Sequence, residues 1–162
     1  MTVDIRRARE DDDARLLEID FATWTTSVSP APPPAREERT SFFDDRRNAG
    51  DYLVAEVDGK VSGFVLVRQA IPIESHEHVL SINELAVDPA VQGRGIGGAL
   101  IEAAAADAAR RGARKLTLRV LGGNAGARRL YERRGFVVEG VLRGEFLLNG
   151  ELVDDVLMAR HL

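Results

Sequence analysis

An α/β fold built on one mixed sheet, with helices on both faces, is what this sequence predicts. Three observations lead there. Strand-like and helix-like segments alternate along the chain, the C-terminal portion reads as two strands joined by Asn149-Gly150, and 162 residues with 44% apolar content are enough for one sizeable core. A single domain spanning residues 1–162 follows.

Val3, Ile5 and Arg7 alternate with polar neighbours as a first strand, and Ala8 to Trp24 carries Leu16, Leu17, Asp20, Phe21 and Trp24 at helical spacing. The acidic run Glu10 to Asp13 falls where that helix begins and complements its N-terminus. Four of the six prolines lie in Pro30 to Pro34, an exposed loop, and a second, more polar helix is expected from Ala35 to Asn48. Tyr52 to Val57 and Val61 to Val67 form a hairpin around Asp58-Gly59-Lys60. Leu80 to Val87 is a strand, Gly95 to Arg111 an Ala-rich helix, Lys115 to Leu121 a strand and Asn124 to Arg134 a short helix. Strands near Phe136 to Leu147 and Glu151 to Met158 close the chain. The expectation is six to seven strands and about four helices.

A net charge of −4 argues against nucleic-acid binding driven by bulk charge. The absence of cysteine removes disulfides, thiolate metal sites and any cysteine nucleophile. His76 and His78 read as an exposed loop rather than a base or metal site, so no metal is expected. No apolar stretch approaches membrane-spanning length, and Met1 to Arg6 lacks the apolar core of a signal peptide, which makes a cytoplasmic protein without a membrane partner the default.

The chemistry concentrates after the strand ending at Val87. Gln92-Gly93-Arg94-Gly95-Ile96-Gly97-Gly98 opens a long helix, and glycines this dense bare consecutive N–H groups to an anion at the positive end of the helix dipole. Arg94 could add a charge-assisted contact. Gly93, Gly95 and Gly98 match the dinucleotide spacing. However, five residues separate Val87 from Gly93, and no carboxylate lies between Asp107 and Glu132 to hold a ribose hydroxyl. No Lys-Ser or Lys-Thr follows the glycines, which removes the P-loop reading.

Gln92-Gly93-Arg94-Gly95-Ile96-Gly97 instead resembles the pyrophosphate-binding motif of the GCN5-related N-acetyltransferase (GNAT) superfamily. Asn124 to Phe136, with Leu130-Tyr131 and Gly135-Phe136, resembles its second signature. The resemblance runs from about Val3 to Leu162. It implies the family's acyl-CoA N-acyltransferase fold, acetyl-CoA as co-substrate and a primary amine as acceptor. Leu85, Ala86 and Val87 would then lie along the pantetheine arm, the amides of residues 92–98 would hold the pyrophosphate, and Asn124 and Ala127 would lie against the coenzyme. From the residues alone, Asn124 is equally an N-cap, and the basic helix carrying Arg128, Arg129, Arg133 and Arg134 is a solvated face or a 3′-phosphate site.

By the same resemblance Tyr131 sits beside the thioester sulfur, where a phenol can give a departing thiolate a proton or a strong hydrogen bond. Family members often carry a catalytic glutamate where Glu84 stands, and strand alternation puts Glu84 on the side of Ile82 and Ala86. Without a cysteine, attack is direct within a ternary complex. Acceptor choice is expected from Trp24 to Ala35 and Leu147 to Val153. The C-terminal residues resemble branches acting on free amino acids and ribosomal-protein N-termini, which tilts the acceptor toward an α-amine; polyamines and aminoglycosides stay open, as does a non-catalytic acyl-CoA-binding module. The C-terminal strands leave an edge that a homodimer could cover.

Overall fold

Alternating apolar residues define the strands, and two left-handed turns fix how they pair. The computed structural model describes all 162 residues. Strand β1 (Val3–Arg7) leads through a 3₁₀ turn to helix α1 (Asp13–Thr23). Strands β2 (Tyr52–Val57), β3 (Lys60–Arg68) and β4 (Val79–Val87) follow, then α2 (Ile96–Arg110), β5 (Lys115–Leu121), α3 (Ala125–Arg133), β6 (Val137–Leu148) and β7 (Glu151–His161). The β2–β3 hairpin turns on Asp58 (φ 49°) and Gly59 (φ 80°), the β6–β7 hairpin on Asn149 (φ 52°) and Gly150 (φ 80°). Consecutive positive φ values of this kind match the strand twist.

All seven strands join one sheet in the order β1-β2-β3-β4-β5-β7-β6. Only β4 and β5 run parallel. On one face, Leu16 and Ile19 of α1 pack against Tyr52, Val54, Phe64 and Leu66. On the other, α2 and α3 cover a larger core that includes Leu53, Val65, Leu80 and Leu116. Strand β6 is an edge, and the terminal hairpin exposes Val137, Leu147 and Leu152. No helix is long and apolar enough to cross a membrane.

The helix expected over residues 35–48 does not form, leaving three α-helices rather than about four. The segment runs as turns, with a bridge between Asp44 and Arg47 and a 3₁₀ turn at Ala49–Asp51. Side chains take the backbone groups that a helix would use. Asp44 Oδ1 accepts from the N–H groups of Arg46 (2.8 Å) and Arg47 (2.9 Å), and Asp13 Oδ1 accepts from those of Phe42 (3.0 Å) and Phe43 (2.8 Å). The anchor at Asp13 delivers Phe42, fully buried, into the smaller core, edge-on to Tyr52 and Phe64 at 5.1 and 5.0 Å between ring centroids.

The decisive irregularity lies in β4. Its ladder with β5 covers only Val79↔Lys115, Leu80↔Leu116 and Ser81↔Thr117, after which the strands part. On the other side, β3 pairs Val67 with Ile82 but Leu66 with Glu84, so Asn83 is an extra, bulged residue. A bulge bends its strand, here turning the C-terminal half of β4 away from β5. It also reverses the alternation. Ile82, Leu85 and Val87 pack toward the larger core, Ala86 toward the smaller one. Glu84, in register with Leu66 and through it with Tyr52, lies on the α1 face. The expectation that Glu84 shares a side with Ala86 holds; the expectation that it shares one with Ile82 fails because of this inserted residue.

Removing the Asp13 anchor in Asp13→Ala is expected to lower stability by about 1–3 kcal/mol in urea unfolding, since buried amides of the loop lose a charged acceptor. A second expectation concerns acid. Asp12 is buried against Arg6, which donates to both its carboxylate oxygens at 2.8 and 2.9 Å and holds its pKa below the usual carboxylate range. A depressed folded-state pKa contributes stability above the unfolded value of about 3.9, and that contribution is lost as pH falls through the folded value. Asp12→Asn should therefore flatten the dependence of stability on pH below about pH 4.

Candidate active site

Where β4 and β5 part, a cleft of about 1080 Å³ opens between the sheet halves and is lined from both faces. On the α2/α3 face its wall is largely main chain. Gly93 (φ 78°) and Gly95 (φ 81°) hold left-handed conformations, and Gly95 is the N-cap of α2. The N–H groups of residues 92 to 98 donate to nothing within the chain, whereas the next one, of Ala99, bonds Gly95 O at 3.0 Å. Seven successive free donors at the start of a 15-residue helix form a ready site for an anion. Arg134 adds a full charge. Its guanidinium lies over Gly98, in the space that a Cβ there would occupy.

Of the sequence-derived candidates, Leu85, Ala86, Val87, Gln92, Gly93, Gly95, Ile96, Gly97, Gly98, Asn124, Ala127 and Tyr131 all line this cleft, together with Glu84. Arg94 is exposed and is not part of the cleft wall. Gln92 Nε2 donates to Val87 O (3.0 Å), tying the loop to the end of β4. Asn124 Oδ1 accepts from the N–H of Ala127 (3.2 Å), so its capping role is realised at the cleft wall. Among the arginines of α3 and its C-cap, Arg128 pairs with Glu132 at 3.1 Å, while Arg133 and Arg134 line the cleft.

Tyr131 is 9% exposed, stacks edge-on against Phe136 at 5.9 Å, and is pushed up to about 12 by burial, which keeps the phenol protonated at neutral pH. Glu84 enters from the opposite face. Its carboxylate accepts from the Tyr52 hydroxyl (3.2 Å) and from Arg47 Nε and Nη2 (3.4 Å each). Burial, then the charge of Glu84, pushes the Tyr52 phenol above its ordinary range, so this hydroxyl acts as donor. Two further arginines of the same wall are paired with carboxylates: Arg39 with Asp20, which also lines it, and Arg119 with Asp155, which is buried and does not. Sequence reasoning missed Arg39, Arg47 and Tyr52. The signal available for Tyr52 was its position at the head of a strand; for the arginines there was none, because their segment was read as a solvated helix. Trp24, Val28 and Pro32, from the first of the two segments expected to choose the acceptor, line the cleft. The end of the terminal hairpin does not: Leu148, Asn149, Glu151 and Val153 border a separate depression with Thr26 and Ser27.

Comparison with known proteins decides the family. The acetyltransferase (GNAT) family model matches residues 14–136. The chain belongs to this family. Over 161 residues this GNAT chain is 30% identical to a phosphinothricin N-acetyltransferase of Alcaligenes faecalis, covering 96% of the chain and 81% of that relative. It is 42% identical over 101 residues to an uncharacterized N-acetyltransferase of Methanocaldococcus jannaschii; the match covers 61% of this chain and 44% of that one, so the chain spans less than half the length of that relative. A GNAT superfamily phosphinothricin acetyltransferase from Sinorhizobium meliloti, solved in complex with AcCoA, superposes with a TM-score of 0.84 at 21% identity, covering 100% of this chain and 89% of the other. The family's mixed α/β fold is therefore the fold of this GNAT chain.

Gly95→Ala tests the loop. A side chain at φ 81° is expected to cost about 1–2 kcal/mol. Because the strain misaims the free amides, calorimetric affinity for pyrophosphate-bearing ligands should fall with it.

Proposed function

We propose that this chain transfers the acetyl group of acetyl-CoA to the α-amine of an amino acid or similar small molecule, by direct attack in a ternary complex. One observation carries the reading: the parted strands let Tyr131 from one face and Glu84 from the other line the same cleft, with six of the seven free amides on residues of its wall. Acetyl-CoA supplies an electrophilic thioester carbonyl and a thiolate leaving group. The amides of residues 92–98 and Arg134 fit its pyrophosphate, and the edge of β4 at Leu85–Val87, unpaired toward β5, suits the amide-bearing pantetheine arm.

Glu84 receives the proton that the acceptor's ammonium must lose before its nitrogen attacks the thioester carbonyl, and Tyr52 and Arg47 hold the Glu84 carboxylate in place. A peptide α-amine has a pKa of about 7.8; a free amino acid's own carboxylate makes its α-amine more basic than that, though still easier to deprotonate than a lysine side chain at about 10.4. A carboxylate already engaged by Tyr52 and Arg47 suits the easier task. With the Tyr131 phenol at about 12 and a thiol near ~8.5, full proton transfer to the departing thiolate is uphill, so Tyr131 serves as a hydrogen-bond donor to it. Similarity over 96% of the chain to a phosphinothricin N-acetyltransferase supports a small amine as acceptor. A homodimer covering the exposed apolar residues of β6 belongs to the same proposal, and sedimentation would measure it.

Thiol release from acetyl-CoA with a panel of amino acids, peptides, polyamines and aminoglycosides tests the activity. Tyr131→Phe should lower kcat by about 10- to 1000-fold while coenzyme A binding is retained. Glu84→Gln should also lower kcat, by about 10²-fold or more. Intersecting initial-rate lines are expected; parallel lines, the mark of a covalent acetyl-enzyme, would contradict direct attack. Tight coenzyme A binding with no turnover on any amine would establish the non-catalytic module instead.

A further inference from the structure

The acceptor face of the cleft holds an arginine whose hydrogen bonds are unfinished. Arg39 lines the cleft and gives Nη1 to Asp20. Its Nε and Nη2 atoms are buried and have no acceptor, and the same holds for the indole nitrogen of Trp24, which also lines the cleft. Buried donors without acceptors are uncommon in folded proteins and call for an explanation. All three belong to side chains that line the cleft.

The geometry of the unfinished edge is informative. The Nε and Nη2 protons of a guanidinium point the same way and form the planar fork that a carboxylate meets with both oxygens. Asp20, holding the opposite end, leaves that fork free and fixes its orientation. The Phe42 ring carries the guanidinium groups of both Arg39 and Arg47, each 5.5 Å from its centroid, and Arg47 in turn contacts Glu84. Thus one aromatic ring contacts both the arginine whose fork is free and the arginine that holds Glu84.

We infer that the acceptor amine also carries a carboxylate, and that Arg39 binds this group through its Nε/Nη2 edge, with the Trp24 indole N–H as a further donor in the same wall. The inference rests on the acetyltransferase reading and narrows it. Polyamines and aminoglycosides, which have no carboxylate, would leave the three donors unmatched. An internal peptide amine would do the same. Trp24, Val28 and Pro32 border the same space, so apolar amino acids are the first to try.

The test needs no variant at the outset. An apolar amino acid, its carboxamide, its methyl ester and the corresponding decarboxylated amine are compared by thiol release from acetyl-CoA. Loss of a charge-assisted bidentate contact should lower kcat/KM by about 10- to 100-fold or more for the three analogues. The amide and ester have less basic amines and more of the neutral nucleophile, so without a carboxylate site they would react at least as well. In Arg39→Lys, which keeps the charge and removes the fork, the preference for the amino acid over its carboxamide should collapse, mainly through KM, with coenzyme A affinity retained. Equal turnover of the amino acid and its carboxamide by the unaltered protein would overturn the inference and leave the acetyltransferase reading standing. Failure to acetylate any amine would defeat the acetyltransferase reading. Calorimetric binding of the amino acid and of its carboxamide to the coenzyme A complex would then still decide the carboxylate site, preference for the amino acid supporting it and equal binding overturning it.

Discussion

Three residue pairs of parallel ladder, Val79↔Lys115 to Ser81↔Thr117, hold the two halves of this molecule together through the sheet. Everything functional depends on that ladder being so short. A longer one would close the sheet and remove the cleft; none at all would separate a β1–β4 half from a β5–β7 half. Leu80 and Leu116, paired within the ladder and both buried, clamp its base in the larger core. Asn83, immediately beyond it, supplies the bend that releases β4. The parting exposes ladder edges on both strands, which a protein normally covers. Here the glycine turn and α3 stand over one side of the opening, and the segment Trp24 to Arg47 over the other.

The two sides are built by different means. On the α2/α3 face the polar groups are mostly main-chain amides fixed by two left-handed glycines, with Arg133 and Arg134 as the added charges. On the α1 face they are side chains in three arginine–carboxylate pairs: Arg39–Asp20, Arg47–Glu84 and Arg119–Asp155. Each pair is neutral as a unit, so this wall is polar without a dominant sign. Such a surface suits a ligand bearing both charges more than one bearing a single excess. The positive end of α2, with Arg134 beside it, has the opposite character and favours an anion.

Much of this could be read from the sequence, and the failures have definite causes. Strands β2 to β5 and helices α2 and α3 appeared within a residue or so of their observed limits, because local periodicity and turn residues decide them. The glycine turn was equally plain, since left-handed conformations favour glycine. The absent helix over residues 35–48 was not legible, for Asp13 captures its amides from about thirty positions away, and local periodicity carries no trace of that bond. The bulge was hidden for a similar reason. Asn83 carries no glycine or proline signal, yet one inserted residue moves Glu84 to the face opposite Ile82. Arg39, Arg47 and Tyr52 join the site only because Phe42 is drawn into the core between them, a tertiary event.

The division between main chain and side chain has a genetic consequence. A codon change replaces a side chain and leaves the peptide N–H where it was, so amides at residues 92–98 survive most substitutions that do not add a Cβ at Gly93, Gly95 or Gly98. The opposite wall has no such protection. Single-nucleotide changes at Trp24, Arg39 or Arg47 would each alter what that wall can bind without touching the donor side or the strand ladder. Drift in a chain of this design therefore has a direction: what the backbone amides can hold stays constant, while what the side-chain wall can hold is open to revision one residue at a time.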